Sequence, residues 1–269
     1  MKINRENITL MSDTEMLFIP VGDIHHNDLK RCDRVRLKRL MDWCERERDN
    51  GKVIRLIGMG DYLDTFSASE RRALRGTLHE STEEWIERKT TEDLVELSEV
   101  LMPMRAHWVG FIEGNHTTIV KQSAEWLHDI FQKPNFGDSC MYQFRFSGTD
   151  LVFNVFAHHG RNTGSTWGSK IGARSRAHQV WPDAHLVCMG HDHAKFACPE
   201  VGLGMSAEGE MLQHKTYLIG TGSFLKGYTE WGSYVERGLY NPVDLGVVIT
   251  RIKVEDRDGA LRLDYHVSV

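Results

Sequence analysis

The chain has 269 residues, 41% of them hydrophobic and 26% charged, with a formal net charge of -5. Those values suit a globular protein and read as one α/β domain over residues 1–269. They exclude a generic polyanion binder, whose whole surface would be basic, and a chain with an 18-residue apolar span. The five cysteines (Cys32, Cys44, Cys140, Cys188 and Cys198) form no CxxC pair, so reduced thiols in a cytoplasmic setting are expected rather than a disulfide framework. The opening "MKINRENITLMSDTEM" lacks the apolar run of a signal peptide. Histidine is the one anomaly of composition, with 14 residues.

In chain order, "EMLFIPVGD" begins apolar and ends Gly-Asp, as a buried strand entering a loop does. "NDLKRCDRVRLKRLMDWCERERDN" predicts a helix, with Leu29, Val35, Leu37, Leu40, Met41 and Cys44 at roughly helical spacing and Asn50-Gly51 as its stop. "KVIRLIGMGD" predicts a second strand. Residues 66–104 are charged and mainly helical, and read as a cap-like insertion or partner surface. Trp85, Ile86, Leu94, Leu97 and Leu101 are its core candidates, and Pro103 marks its end. "HWVGFIEGN" predicts a third strand and "SAEWLHDIFQ" a short helix. "CMYQFRFS" and "LVFNVFAHHG" then predict a hairpin around "GTD". The Gly, Ser and Arg-rich "RNTGSTWGSKIGARSRAHQVW" predicts a helix in its second half. "HLVCMGHDH", "KTYLIGTGSF", "LGVVITRIKV" and "LRLDYHVSV" predict four more strands. Strand–helix alternation followed by a strand-rich stretch implies two packed sheets with helices outside.

Five of these strands end in polar sets. "GDIH" supplies Asp23 and His25; "GDYLD" supplies Asp61 and Asp64; "GNH" supplies Asn115 and His116. "HHG" supplies His158 and His159, and "GHDH" supplies His191 and His193. Each set alone is an ordinary polar turn. Together, carboxylates, imidazoles and an amide oxygen at the carboxyl ends of strands suit divalent ions such as Mn, Fe or Zn. The lack of paired thiolates argues against structural zinc. "GLGMSA" imitates a dinucleotide glycine pattern but follows no clear strand, and is discounted. His26, His79, His107, His128, His178, His185, His214 and His266 have no pattern partners and read as structural or surface residues. Trp85, Trp108, Trp126 and Trp181 read as core; Trp167 and Trp231 lie in glycine-rich loops that could flank a cleft.

The ordered blocks Asp-x-His, Gly-Asp-x-x-Asp, Gly-Asn-His, His and Gly-His-x-His resemble the calcineurin-like metallophosphoesterase superfamily, over residues 22–193. The resemblance implies a four-layer α/β/β/α sandwich and two divalent ions (Mn, Fe, Zn or Ni, with Mn preferred). Asp23, His25 and His193 would hold one ion, and Asn115, His159 and His191 the other, with Asp61 bridging. His116 would face the substrate, and Asp64 would orient its imidazole. The family's histidine commonly precedes glycine, which favours His159 over His158. Two departures stand out. Thr117 occupies a position where the family often has Asp or Glu, and no Arg-Gly follows "GDYLD", which argues against the protein Ser/Thr phosphatases.

The chemistry so implied is hydrolysis of a phosphate ester, with His116 as proton donor to the leaving alkoxide. A phosphodiesterase acting on DNA, RNA or a nucleotide diester is preferred. A phosphomonoesterase or nucleotide pyrophosphohydrolase on the same site is the alternative. A metal-binding scaffold that recruits a partner without catalysis is the third; it would tolerate His116→Ala. Arg161, directly after His159-Gly160, is a candidate contact for a substrate phosphate. Lys170, Arg174 and Arg176 either line a polyanion groove or form a solvated helix face.

Overall fold

Successive side chains of a strand point to opposite faces, so strands buried along their whole length, such as Met16–Val21, must be covered on both sides. A computed structural model of the chain describes residues 1–10, 14–64, 73–74, 76–116, 123–161, 164–206, 209–230 and 232–269. The strands are β1 (Lys2–Ile8), β2 (Met16–Val21), β3 (Val53–Gly58), β4 (Trp108–Ile112), β5 (Asn135–Gly137), β6 (Ser139–Phe146) and β7 (Val152–His158). They continue with β8 (Leu186–Met189), β9 (Lys195–Met205), β10 (Met211–Ser223), β11 (Gly246–Val247), β12 (Ile249–Arg257) and β13 (Ala260–Ser268). The helices are α1 (Arg34–Asp49), α2 (Glu80–Leu101), α3 (Ser123–Phe131), α4 (Trp167–Val180) and the one-turn α5 (Tyr234–Arg237), with a 3₁₀ segment at Met102–His107.

Two mixed sheets result. One runs β13-β12-β2-β3-β4-β5, and the other β1-β6-β7-β8-β10-β11 with β9 added on β10. The contiguous set β2, β3, β4 and β5 is parallel, as are β7, β8 and β10. Along β2, Leu17, Ile19 and Val21 face the helices, where they meet Leu37 and Met41 of α1, Leu97 of α2 and Leu127 of α3. Met16 and Phe18 face the other way, toward Phe144, Phe153 and Val155 of the second sheet. On that sheet's outer surface Phe156, Val187 and Leu218 take α4 through Ile171 and Ala177. The order is helix, sheet, sheet, helix, as the resemblance implies. No helix of the described residues is long and apolar enough to cross a membrane.

Several expectations change in detail. The helix after β2 begins at Arg34, not near Asn27, because the Asp33 side chain caps it by accepting the Arg36 N–H. Leu29 and Val35 are accordingly exposed and not core. Trp85 is 56% exposed, on the outer face of α2, while Leu94, Leu97 and Leu101 are buried. Strands β1, β5 and β9 go beyond the sequence reading; "GLGM" lies inside β9, which pairs with β10 along its length. Trp167 is exposed. Thr117, Trp231 and, in the proposed 66–104 insertion, residues 66–72 and 75 lie outside the described residues.

Candidate metal centre

Parallel strands bring their carboxyl ends to one edge of a sheet, and here two sheets do so side by side. The loops leaving β2, β3, β4, β7 and β8 carry Asp23 and His25, Asp61 and Asp64, Asn115 and His116, His159, and His191 and His193. Backbone bonds lock the loops together. Asp23 N–H donates to Gly60 O at 3.0 Å, His25 N–H to Asp61 O at 3.0 Å, and Phe224 N–H to Asp23 O at 3.0 Å. Asp23, His25, Asp61, His191 and His193 all have positive φ, from 47° to 68°. Such backbone is costly for non-glycine residues and persists where the surroundings over-determine it. Two glycines make the close approach possible. A Cβ on Gly114 would lie 2.1 Å from Asp61 Oδ1, and one on Gly190 2.7 Å from Asp23 Oδ2.

The side chains fall into three groups whose donor atoms all lie within 4.8 Å of one another: Asp23, His25 and His193; Asp61, His159 and His191; and His25, Asp64 and His116. In the first, His193 Nε2 is 3.6 Å from Asp23 Oδ1. In the second, His159 Nε2 is 3.2 Å from Asp61 Oδ2 and 2.9 Å from Asn115 Oδ1, and His191 Nδ1 is 2.6 Å from the same amide oxygen. Met59 O lies 2.7 Å from His159 Nδ1. Against burial, the Asp61 carboxylate raises this imidazole to about 9, so a bound cation would have to displace its Nε2 proton, with the Nδ1–H kept on Met59 O. His116 joins through its backbone N–H, which donates to Asp61 Oδ1 at 2.8 Å. Its Nδ1 is 3.3 Å from Asp64 Oδ1.

His158 points elsewhere. Its Nδ1 accepts the Gly160 N–H at 2.7 Å, so of the two adjacent histidines only His159 enters the cluster. Arg161 is exposed on the loop just beyond. The basic segment departs from both of its expected forms. Arg174 is fully buried, paired to Asp192, and is neither a groove residue nor part of a solvated face. Lys170 Nζ donates to Asp192 O at 3.2 Å, and Arg176 is exposed. Sequence reasoning also missed Asn27, whose side-chain amide bonds the Asp64 backbone, and Glu113, whose buried carboxylate accepts the Ala124 N–H at the start of α3. Neither belongs to a family block, and only their contacts identify them.

Burial dominates the electrostatics. It pushes the Asp23 carboxyl up, against the opposing charge of His159. It would raise Asp61 too, but the His159 ring, then His25 and His116, hold that carboxyl well below the usual range. Asp64 is likewise held low, against burial, by His116 and His25. Burial lowers His193 to about 3, with His25 adding to the effect, and lowers His191 with help from His159. These two imidazoles are therefore neutral at pH 7 and carry lone pairs for a cation.

The donor set suits such a cation on one further count. His25 is 2% exposed, and among the described residues neither ring nitrogen has a hydrogen-bond partner; Asp64 Oδ1 is 3.6 Å from its Nδ1. A buried imidazole with both nitrogens unsatisfied is costly. A ligated cation in the group with Asp23 and His193 would relieve that cost.

No protein-family model matches the chain, and no curated protein matches it. Among solved structures, a conserved uncharacterized protein from Streptococcus pneumoniae, described as a predicted phosphoesterase, overlaps with a TM-score of 0.38 at 12% identity, over 93% of this chain and 88% of that one. A double mutant of Vps29 from Entamoeba histolytica overlaps with a TM-score of 0.41 at 14% identity, over 95% and 99%. Wild-type Vps29 from the same organism, complexed with zinc, gives 0.37 at 12%, over 93% and 98%. At TM-scores below 0.5, such overlaps decide nothing about this chain's activity.

Proposed function

We propose that the protein is a dinuclear metal-dependent phosphoesterase that prefers phosphodiesters, with nucleotide diesters as the substrate class. The observation that carries this reading is the convergence of two His/Asp groups, Asp23–His25–His193 and Asp61–His159–His191, with His116 beside them. Asp23, His25 and His193 would hold one divalent ion, and Asn115, His159 and His191 the other. Asp61 would bridge the two, and manganese is the preferred metal. When bound, two such ions supply charge to the phosphate oxygens and make water a nucleophile near neutral pH.

The chain's own residues do the rest. His116 turns Nδ1 toward Asp64, so Nε2 is the nitrogen that would hand a proton to the leaving alkoxide. Asp64 stays ionised and favours the charged imidazole. Arg161, exposed on the loop two residues after His159, would meet a phosphate oxygen. A long polyanion loses part of its support, because Arg174 is buried; DNA and RNA rank behind small nucleotide diesters.

The test is turnover of bis-p-nitrophenyl phosphate and p-nitrophenyl phosphate by manganese-loaded protein, beside His116→Ala. Faster diester cleavage, falling about 10²–10⁴-fold in the variant while metal content holds, supports the proposal. Faster monoester cleavage sinks the diester preference. Bound metal with no turnover of either ester means a selective enzyme or a scaffold, which turnover of natural nucleotide diesters then separates.

A further inference from the structure

The turn that carries His191 and His193 is braced from behind by a buried arginine. Arg174, on α4, is 0% exposed. Its Nε donates to Ile219 O at 2.9 Å, Nη1 to Lys170 O and Asp192 Oδ2 at 2.8 Å each, and Nη2 to Met189 O at 2.7 Å and Asp192 Oδ1 at 3.0 Å. All five guanidinium donors are thereby used. The Phe196 ring covers the group at 4.8 Å. Asp192 stands between the two histidines. Its carboxylate also accepts the Ala194 N–H at 3.2 Å, and Lys170 Nζ holds its carbonyl. The turn is gripped through both its side chain and its backbone.

Resting on the metal reading above, we infer that Arg174 and Asp192 are positioning residues: their bidentate pair holds the His191–His193 turn in its cation-binding shape. Three observations carry this. The residues flanking Asp192 have φ of 68° and 54°, a shape that relaxes unless held. The His191 N–H donates to both carboxylate oxygens of Asp23, at 3.1 and 3.0 Å, so a shift of the turn reaches both metal groups. A buried ion pair gives little net stability against an apolar pair of the same volume. What this pair supplies and an apolar pair would not is a two-pronged anchor for Asp192, tied by the same guanidinium to β8 through Met189 and to β10 through Ile219.

The experiment titrates Mn²⁺ by calorimetry into the metal-free, full-length protein, well below its unfolding temperature. Arg174→Lys, Asp192→Asn and Arg176→Ala are compared with wild type, with circular dichroism confirming that each is folded. Arg174→Lys keeps the charge and loses the fork. Asp192→Asn keeps the shape and loses the charge, and it carries the test if the lysine variant fails to fold. The expected result is Mn²⁺ affinity weakened about 10–100-fold in both, and unchanged in Arg176→Ala, which alters an exposed residue of the same helix. Folded variants that bind Mn²⁺ as tightly as wild type overturn this inference and leave the metal reading intact. A wild type that takes up no Mn²⁺ overturns both.

Discussion

At the scale of single residues, the chain uses histidine in two opposite ways. His193 is buried and kept neutral where a cation would take its lone pair. His185 is kept neutral for packing. It stacks on Phe153 at 5.1 Å, and its Nδ1 accepts the Asn154 N–H at 3.0 Å, a bond that protonation of Nδ1 would break. Burial, helped by the charge of His214, lowers it to about 4, below the ~6.5 of an unfolded chain. The neutral form is favoured by folding, so this contribution is complete above pH 6.5. It is lost as pH falls toward 4 and changes no further below that. The stability of wild type relative to His185→Gln, measured by denaturant unfolding, should drop by about 2.5 kcal/mol between pH 7.5 and 4.5. A difference that stays flat with pH would show that His185 does not titrate in this way.

At the scale of elements, α2 shows that an apolar residue type is not enough without the helical angle. Trp85 and Leu97 lie twelve positions apart, which at about 100° per residue turns them roughly 120° away from each other; Trp85 is 56% exposed and Leu97 is fully buried against the six-stranded sheet. The C-terminal half of the helix packs with α1 and α3, while Trp85 in its first turns takes no part in that core. Leu97→Ala should therefore cost about 2–5 kcal/mol through lost transfer energy and a cavity. Trp85→Ala should stay within about 0.5 kcal/mol. Urea unfolding of both variants checks this, and equal losses would mean that Trp85 is covered in solution. The start of α1 is a milder case. The Asp33 cap, visible only in the structure, starts the helix at Arg34, and Leu29 and Val35, which fit the apolar rhythm, are exposed.

For the whole molecule, the candidate centre is also a structural joint. It gathers loops from both sheets, buries Asp23, Asp61 and His25 almost completely, and among the described residues gives neither nitrogen of His25 a hydrogen-bond partner. Divalent ions bound there would stabilise the fold by mass action, about 2.7 kcal/mol per site at a free ion concentration of 100 Kd. Removing them with a chelator should lower the unfolding temperature by about 5–10 °C per site occupied. Adding back Mn²⁺ should restore it, whereas Asp23→Asn should abolish most of the response. A melting curve indifferent to chelator and Mn²⁺ would count against any tight ion at this joint.

Much of this was legible in the linear chain because its signals are local. Apolar runs ending in Gly-Asp, Gly-Asn-His or Gly-His-x-His mark strand ends, and the unbroken apolar run of β2 marks a buried strand without telling which side chains meet which layer. Strand–helix alternation followed by a strand-rich stretch points to two packed sheets with helices outside, and the family resemblance implies the four-layer order. Long-range contacts decided the rest. The resemblance favours His159 over His158, but which ring turns toward the cluster is seen only in the contacts of His159 with Met59 O and of His158 with the Gly160 N–H. Arg174 is one basic residue among several until Met189, Ile219 and Asp192 surround it. The edge strands β1 and β9 carry weak apolar patterns and exist through pairing with β6 and β10. Side-chain type and spacing are written in the sequence, but a buried charge or an edge strand is stabilised by partners tens to hundreds of residues away, and those appear only when the chain is folded.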